Sequence, residues 1–378
     1  MLTPRRITAT LGLVVVLCVG LPLWAQEEHI RDTAEQAEAQ SEGKRKGQWV
    51  PAPIPIVNPT LGNGLGAVLM YMYQLDEESR VSYTGGGGMY TDTNSWGAGV
   101  AQEANFAKDK WRVKGGALYF DVNVNFYGIG NEDGDRGFSI PLQQNGAAFG
   151  ARALRRVRGP WYAGLKYTYM GVKSTFDLTG VPPDFPVELP PEIARDTVVA
   201  SLGAIVERDT RDNQFNAFEG SLFDFIWSVA DEAVGSDFDY QSIKSSFNWF
   251  KQARERQIFA AQAYGCATPG DTPFYALCKF GQDQVLRGYV GGRYRDKTML
   301  AAQLEYRWRF YKRFGGVVFG GVGQVGASLG DYNSDALLPS WGVGLRFMLT
   351  ERNRLNLSVD YATGVDSSYW YFYVGESF

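Results

Sequence analysis

The stretch Thr298–Phe310, TMLAAQLEYRWRF, decides the reading of the whole chain. Drawn as an extended strand, it puts Leu300, Ala302, Leu304, Tyr306, Trp308 and Phe310 on one face and Gln303, Glu305, Arg307 and Arg309 on the other. A soluble sandwich cannot hold such charges in its core without partners. The wall of a water-filled membrane barrel can, because one side meets lipid and the other a polar lumen. Gln241–Trp249 repeats the pattern, with Ile243, Phe247 and Trp249 alternating with Ser242, Lys244, Ser246 and Asn248. In Leu355–Ala362, Leu355, Leu357, Val359 and Tyr361 alternate with Asn356, Ser358 and Asp360. The fold expected is all-β, a transmembrane antiparallel β-barrel.

Composition agrees. The chain has 45 glycines and 14% aromatic residues, which favours many strands joined by tight turns. Its mean hydropathy of -0.23 leaves no room for a bundle of membrane helices, each of which needs about 20 consecutive apolar residues. A net charge of -4 gives no electrostatic reason to expect nucleic-acid binding. The short basic run Lys44-Arg45-Lys46 reads as part of a solvated linker.

Residues 1–25 read as a signal peptide: Arg5 and Arg6 form the positive region, Leu11–Val19 the apolar core, and Leu23-Trp24-Ala25 the cleavage site before Gln26. The rival, an uncleaved anchor, has too short an apolar core. Residues 26–53 form a polar, Pro-rich periplasmic linker, and 54–378 the barrel. Pro51, Pro53, Pro55 and Pro59 make that segment extended and unsuited to a central strand. From Gly64 onward the period is two, and fifteen strands can be read. Single-chain bacterial barrels have an even number, so sixteen are expected, with the extra one placed in 125–142 around Phe126-Tyr127-Gly128-Ile129-Gly130. Lys251–Arg256, Tyr311–Phe314 and Thr350–Arg354 make short periplasmic turns, and 178–196, 268–297 and 330–339 make outer loops. In the closing strand, Trp370, Phe372, Val374 and Phe378 share a lipid-facing ribbon, Gly375 lets neighbours approach, and Glu376 interrupts the ribbon near the interface. This strand should close the barrel against Gly64–Gln74.

Covalent chemistry has little to work with. The only histidine, His29, lies in the linker, so no imidazole can sit beside a nucleophile, and the 41 carboxylates mark no particular pair. Neither an enzyme nor a cofactor is expected. Gly62-Asn63-Gly64-Leu65-Gly66 lacks the preceding strand and following helix of a phosphate loop and reads as a flexible lead-in to the first strand. The run Gly85–Gly88 reads as close packing or curvature within the wall. Cys18 leaves with the signal peptide. Cys266 and Cys278, in an exported and oxidising setting, are expected to form a disulfide, since a metal would want further His or Cys ligands.

Val285-Leu286-Arg287-Gly288-Tyr289 sits in the longest outer loop, with five strands after it. This arrangement resembles the BamA/TamA-like bacterial surface antigen superfamily, whose hallmark is an Arg-Gly-aromatic motif on a loop folded back into the lumen. Three further matches accompany it: Asp209-Thr210-Arg211-Asp212 followed by Gly220 resembles the family's turn motif, Glu305 occupies its lumen-facing acidic position, and Phe372–Phe378, with Gly375, resembles its closing strand. The resemblance covers most of 54–378. It implies that Arg287, Gly288 and Tyr289 form a lumen motif with Glu305 as its anchor, by the bidentate contact a guanidinium in a partly desolvated lumen requires. Relatives carry a second acid on the next strand, where this chain has Gly321 in Phe319-Gly320-Gly321-Val322-Gly323. Either Glu305 acts alone or Asp360 substitutes.

Family members that insert or secrete proteins receive clients through periplasmic POTRA domains, and residues 26–50 are too few and too polar for one. The resemblance therefore implies an outer-membrane barrel of a Gram-negative bacterium, acting in membrane-protein assembly or transport. A pore for small solutes or polypeptides comes second, and a surface antigen or outer-membrane enzyme third. Expected partners are outer-membrane lipid, the barrel-assembly machinery during biogenesis, and a separate periplasmic protein or a second copy of the chain.

Overall fold

Alternation becomes geometry in the barrel wall. In the strand that begins at Thr298, Leu300 and Leu304 are 46% and 67% exposed on the outer face, whereas Gln303, Glu305 and Arg307 are buried on the inner one. The computed structural model describes residues 48–58, 60–79, 82–179, 181, 189–191, 195–213, 216–281, 285–350, 354–365 and 367–378. The signal peptide read at 1–25, the linker up to residue 47, Cys18 and His29 lie outside the described residues.

The strands in chain order are β1 (Gln48–Asn58), β2 (Gly62–Tyr73), β3 (Ser82–Thr91), β4 (Trp96–Phe106), β5 (Trp111–Phe126), β6 (Ile140–Arg158), β7 (Trp161–Phe176), β8 (Asp196–Asp209), β9 (Gly220–Ala230), β10 (Tyr240–Arg254) and β11 (Gln257–Ala267). A short hairpin, β12 (Cys278–Lys279) and β13 (Arg295–Asp296), precedes β14 (Thr298–Tyr311), β15 (Phe314–Gly326), β16 (Leu338–Thr350), β17 (Leu355–Gly364) and β18 (Ser367–Val374). Sixteen of these, all but the hairpin, form one antiparallel sheet in sequence order from β1 to β18. The even count brings both ends of the sheet to the same rim, called here the terminal rim. Two-residue turns such as Gly159-Pro160 and Lys312-Arg313 lie there, together with the longer connections 74–81 and 210–219, while the longest connections lie at the distal rim.

The count of sixteen matches the expectation, but the extra strand is not in 125–142, where β5 ends at Phe126 and a one-turn helix, α1 (Asn131–Arg136), follows. It is the Pro-rich β1, which pairs with β2 over its whole length. Its place in the sheet explains why prolines are tolerated. Residues of an antiparallel strand alternate between bonding one neighbour and the other, and Pro51, Pro53 and Pro55 stand opposite Leu69, Ala67 and Leu65. A proline has no N–H to give, so the bonds to β2 run through Ala52, Ile54 and Ile56, and the proline nitrogens point to the other side. On that side lies only the seam with β18.

The expected closure between Trp370–Phe378 and Gly64–Gln74 is therefore corrected on both edges. The seam is formed by β1 and β18, which adjoin without a hydrogen-bonded ladder among the described residues. On the closing side, β18 ends at Val374, because Gly375 takes φ +101° and turns the chain inward. An edge facing hydrocarbon costs several kcal/mol for each unsatisfied backbone group. Pro51, Pro53 and Pro55 give that edge no donor, which removes the donor half of the penalty, leaves their carbonyls as acceptors, and deprives the seam of the N–H groups that would zip it.

Replacing Pro51, Pro53 and Pro55 together by threonine is expected to let β1 pair with β18. Amide exchange in β18 should slow and the heat-modifiable form should survive to higher temperature; unchanged exchange in β18 would contradict this reading of the seam.

Candidate functional site: the loop anchor in the lumen

The connection 268–297 does not extend away from the barrel but turns into the lumen. Cys266, at the end of β11, is joined to Cys278 in the hairpin by a disulfide with a Cα–Cα distance of 5.9 Å. Closing so small a loop is worth about 3 kcal/mol by the chain-entropy argument. Below the bond, Phe280, Leu286, Tyr289 and Tyr294 are fully buried in one apolar cluster against Met299 and Val325 of the wall. The loop also reaches the opposite side of the lumen. Gly291 N–H donates to Thr60 Oγ1 at 2.8 Å, Tyr294 OH to Asp135 at 3.0 Å and Arg293 Nε to Gly134 O at 2.9 Å.

Two left-handed residues, Leu286 (φ 57°) and Gly288 (φ 108°), flank Arg287 and drive its side chain down between them. Gly288 is required for a second reason, since a Cβ there would stand 2.7 Å from Gly364 N. Its amide donates to Tyr371 OH at 2.8 Å and its carbonyl accepts from Ser367 Oγ at 2.6 Å. The Tyr289 ring occupies space over Gly364 that a side chain would fill, and its hydroxyl donates to Pro339 O at 2.5 Å. Burial pushes that phenol up to about 12, so it remains a donor at neutral pH.

The Arg287 guanidinium lies 3.5 Å over the Phe319 ring and bonds Glu305 of β14 on one arm and Asp360 of β17 on the other. Of the two alternatives read from the sequence, Glu305 alone or Asp360 as a second acid, the structure has Asp360 on the guanidinium. Space at Gly321 is tight: a Cβ there would lie 2.7 Å from the backbone carbonyl of Ala302, 2.9 Å from Gln303 Cγ and 3.0 Å from Leu286 Cδ1. Glycine there makes room for the loop, and the carboxylate comes from a strand two places further on.

The network continues beyond this pair. Arg307 donates to Glu305 at 2.7 Å, Arg346 of β16 bonds Asp360, and Arg346 Nε also reaches Glu376 at 2.8 Å. Asn356 donates to Glu376 at 2.6 Å, and Ser377 Oγ to Glu305. Three guanidiniums meet three carboxylates, every one of them buried. Burial of ions is tolerable only in such a matched set, and removing one member typically costs 3–5 kcal/mol.

Glu376 and Phe378 were expected on a lipid-facing ribbon; the structure puts both elsewhere. The turn at Gly375 carries Glu376 and Ser377 into the lattice, and Phe378 packs inside on Phe250, ring centres 6.3 Å apart. Within β18, Phe372 stands opposite Val359, and Trp370 on the same parity is 55% exposed to the outside. Parity put Glu305 on the inner face with Gln303, Arg307 and Arg309, the resemblance singled it out as the anchor, and Asp360 was offered as an alternative second acid. That reading missed Arg346 and Glu376, although charges of opposite sign at inward positions of β14, β16 and β17 were a usable signal.

The turn motif forms a separate clamp at the terminal rim. Arg211 lies bidentate on Asp209, at 3.1 and 2.9 Å, and Gly220 (φ +104°) lets Thr210 approach where a Cβ would be 2.2 Å from its carbonyl. Burial pushes Asp212 up, but the Arg354 guanidinium and the amides of Phe218 and Glu219 together hold its carboxyl below the usual carboxylate range. Deeper in, Arg112 joins Asp109 at 2.7 Å, Glu207 at 2.9 Å and the face of Tyr162 at 3.9 Å, tying β5, β7 and β8. Among the described residues no three His, Cys, Asp or Glu side chains are grouped to hold a metal.

Arg287→Gln is expected to weaken the loop anchor by about 3–5 kcal/mol, read as faster protease nicking of 268–297 in the folded barrel. Adding Asp360→Asn or Glu305→Gln to it should cost less than the sum of the single changes by about 1 kcal/mol or more. Strictly additive losses would show that the three groups do not act as one lattice.

Comparison with characterised proteins by sequence gives no match. Among solved structures the barrel is similar to BamA from Haemophilus ducreyi lacking POTRA domains 1-3, with TM-score 0.54, 14% identity, and 88% of this chain and 70% of that one covered. CdiB from Escherichia coli gives TM-score 0.60 and 11% identity over 88% of this chain and 63% of that one. CdiB from Acinetobacter baumannii gives TM-score 0.53 and 10% identity over 84% and 55%. The chain therefore spans between about half and two thirds or slightly more of these structures, and at such identities they attest the fold alone. The Omp85 superfamily domain matches residues 88–378, from β3 through the inward-turned terminal segment and including every member of the ion lattice. On that match, this chain, an outer-membrane β-barrel, belongs to the Omp85 superfamily.

Proposed function

We propose that the chain acts in the assembly or translocation of polypeptides at the outer membrane of a Gram-negative bacterium, without covalent chemistry, and that the ion lattice is the latch holding its lumen loop in place. The observation that carries this reading is where the latch sits. Arg287 binds β14 and β17, its Gly288 carbonyl is held by Ser367 of β18, and β18 ends at the unzipped seam. A device that passes polypeptide needs a barrel wall able to part and a lumen kept shut meanwhile. Both requirements meet on β18, whose free edge lines the seam and whose Ser367 holds the loop.

An always-open pore for small solutes fits less well. The loop spans the distal end of the lumen, and α1 adds a further crosslink there through Asn131 Nδ2 to Val325 O at 2.7 Å.

Depletion of the chain is expected to lower a small set of outer-membrane or secreted polypeptides, while the purified protein in planar bilayers stays at low conductance and Arg287→Gln opens it. A steady large conductance of the unaltered protein, with no change in the outer-membrane proteome on depletion, would favour the pore and overturn the proposal.

A further inference from the structure

The two rims of the barrel carry opposite charge. At the terminal rim the carboxylates are tied internally: Glu78 to Lys108 at 2.6 Å, Glu219 to Lys251 at 3.2 Å, Asp109 to Arg112 and Arg156, and Asp212 to Arg354. Lys110, Arg155, Arg158, Arg254, Arg256 and Lys312 remain, exposed and without an ion pair among the described residues, against the exposed acids Glu77 and Glu255, the latter between two of them. Described connections at the distal rim are mainly acidic, with Asp92, Glu132, Glu232, Asp237, Asp331 and Asp335 exposed against Arg136, Arg195 and Lys297. Arg136 is itself paired with Asp133 at 2.9 Å.

The free cations sit just beyond aromatic side chains of the outer wall. Trp111, Trp161, Tyr311 and Phe314 are between 36% and 58% exposed at the terminal ends of β5, β7, β14 and β15. The Arg155 guanidinium lies 5.6 Å from the Trp111 ring, Arg208 lies 5.8 Å from Trp161, and Lys312 lies 5.3 Å from Tyr311. Aromatic rings of this kind mark the edge of the hydrocarbon, so cations stacked on them or one residue past them stand at headgroup depth. Two of the turns carry two such cations each, close in sequence: Arg155 and Arg158 before Gly159, and Arg254 and Arg256.

From this arrangement we infer that the terminal rim is a binding surface for anionic phospholipid headgroups, and that it holds them around the barrel on one leaflet only. The inference rests on the barrel's place in a membrane and is independent of what the barrel transports. A headgroup phosphate there meets guanidinium pairs suited to bidentate recognition, next to rings that the acyl chains cover. The same headgroup at the distal rim would meet carboxylates.

The test uses the full chain purified in detergent and exposed to equal amounts of phosphatidylglycerol and phosphatidylcholine with matched acyl chains, with retained lipids counted by native mass spectrometry. Phosphatidylglycerol should be enriched by about threefold or more, and the preference should fade at high salt. In the variant R155Q/R158Q/R254Q/R256Q/K312Q, still heat-modifiable, retention should fall to the bulk ratio, and R155Q/R158Q or R254Q/R256Q alone should give partial loss. Asp331→Asn with Asp335→Asn at the distal rim should leave the preference unchanged. No enrichment in the unaltered chain, enrichment undiminished in the five-site variant, or loss in that variant of a co-purifying acidic protein with no lipid preference anywhere, would each overturn the inference.

Discussion

The matched set of three guanidiniums and three carboxylates in the lumen is the constraint on which the rest of the structure depends. Ions so deeply buried are held only when each charge is answered, and here the answers come from separate parts of the chain: Arg287 from the loop, Glu305 and Arg307 from β14, Arg346 from β16, Asp360 from β17, and Glu376 from the segment past β18. Six residues thereby tie together the loop, the three strands β14, β16 and β17, and the last residues. Removing the loop would leave two carboxylates facing each other; removing the last residues would leave two guanidiniums short of an acid.

The wall around this set obeys a different rule. Lipid requires every backbone group to be paired within the protein, and among the described residues every strand of the sheet has a paired neighbour on both sides except β1 and β18. At one end, prolines on alternate residues of β1 delete the donors that would otherwise be exposed. At the other, β18 is short, and Gly375 takes the chain out of the membrane wall after eight strand residues. Thus the seam is a designed weakness in a structure otherwise closed by hydrogen bonds, and it adjoins the strands that the ion lattice ties. The Cys266–Cys278 bond holds the base of the loop independently of the lattice, so loss of the lattice frees the loop tip before it frees the whole segment.

Much of this was legible from the order of residue types. The period-two pattern of Thr298–Phe310 gave the strand, its two faces and the inward Glu305, because membrane and lumen impose opposite demands on alternate residues. Arg287-Gly288-Tyr289 gave the loop motif, and Asp360 was available as a second acid because it falls on the inward parity of β17. β1 was hidden for a physical reason: prolines signal a broken strand except at an edge, and edge position is a property of the whole sheet. Glu376 and Phe378 were misplaced because parity was carried past Gly375, whose positive φ ends the strand. Nor could the sequence explain Gly321, since the groups that crowd it, the Ala302 carbonyl and the side chains of Gln303 and Leu286, lie on the neighbouring strand and in the loop.

The most direct measurement of the central claim is hydrogen–deuterium exchange along the folded barrel with and without Arg287→Met. If the lattice joins loop, last strands and terminal segment, exchange should quicken together in 285–294, in the inward segment 375–378 and at the seam ends of β17 and β18, while β5 to β8, which have their own Arg112 clamp, stay protected. Faster exchange confined to the loop, with 375–378 and β18 unchanged, would contradict the account.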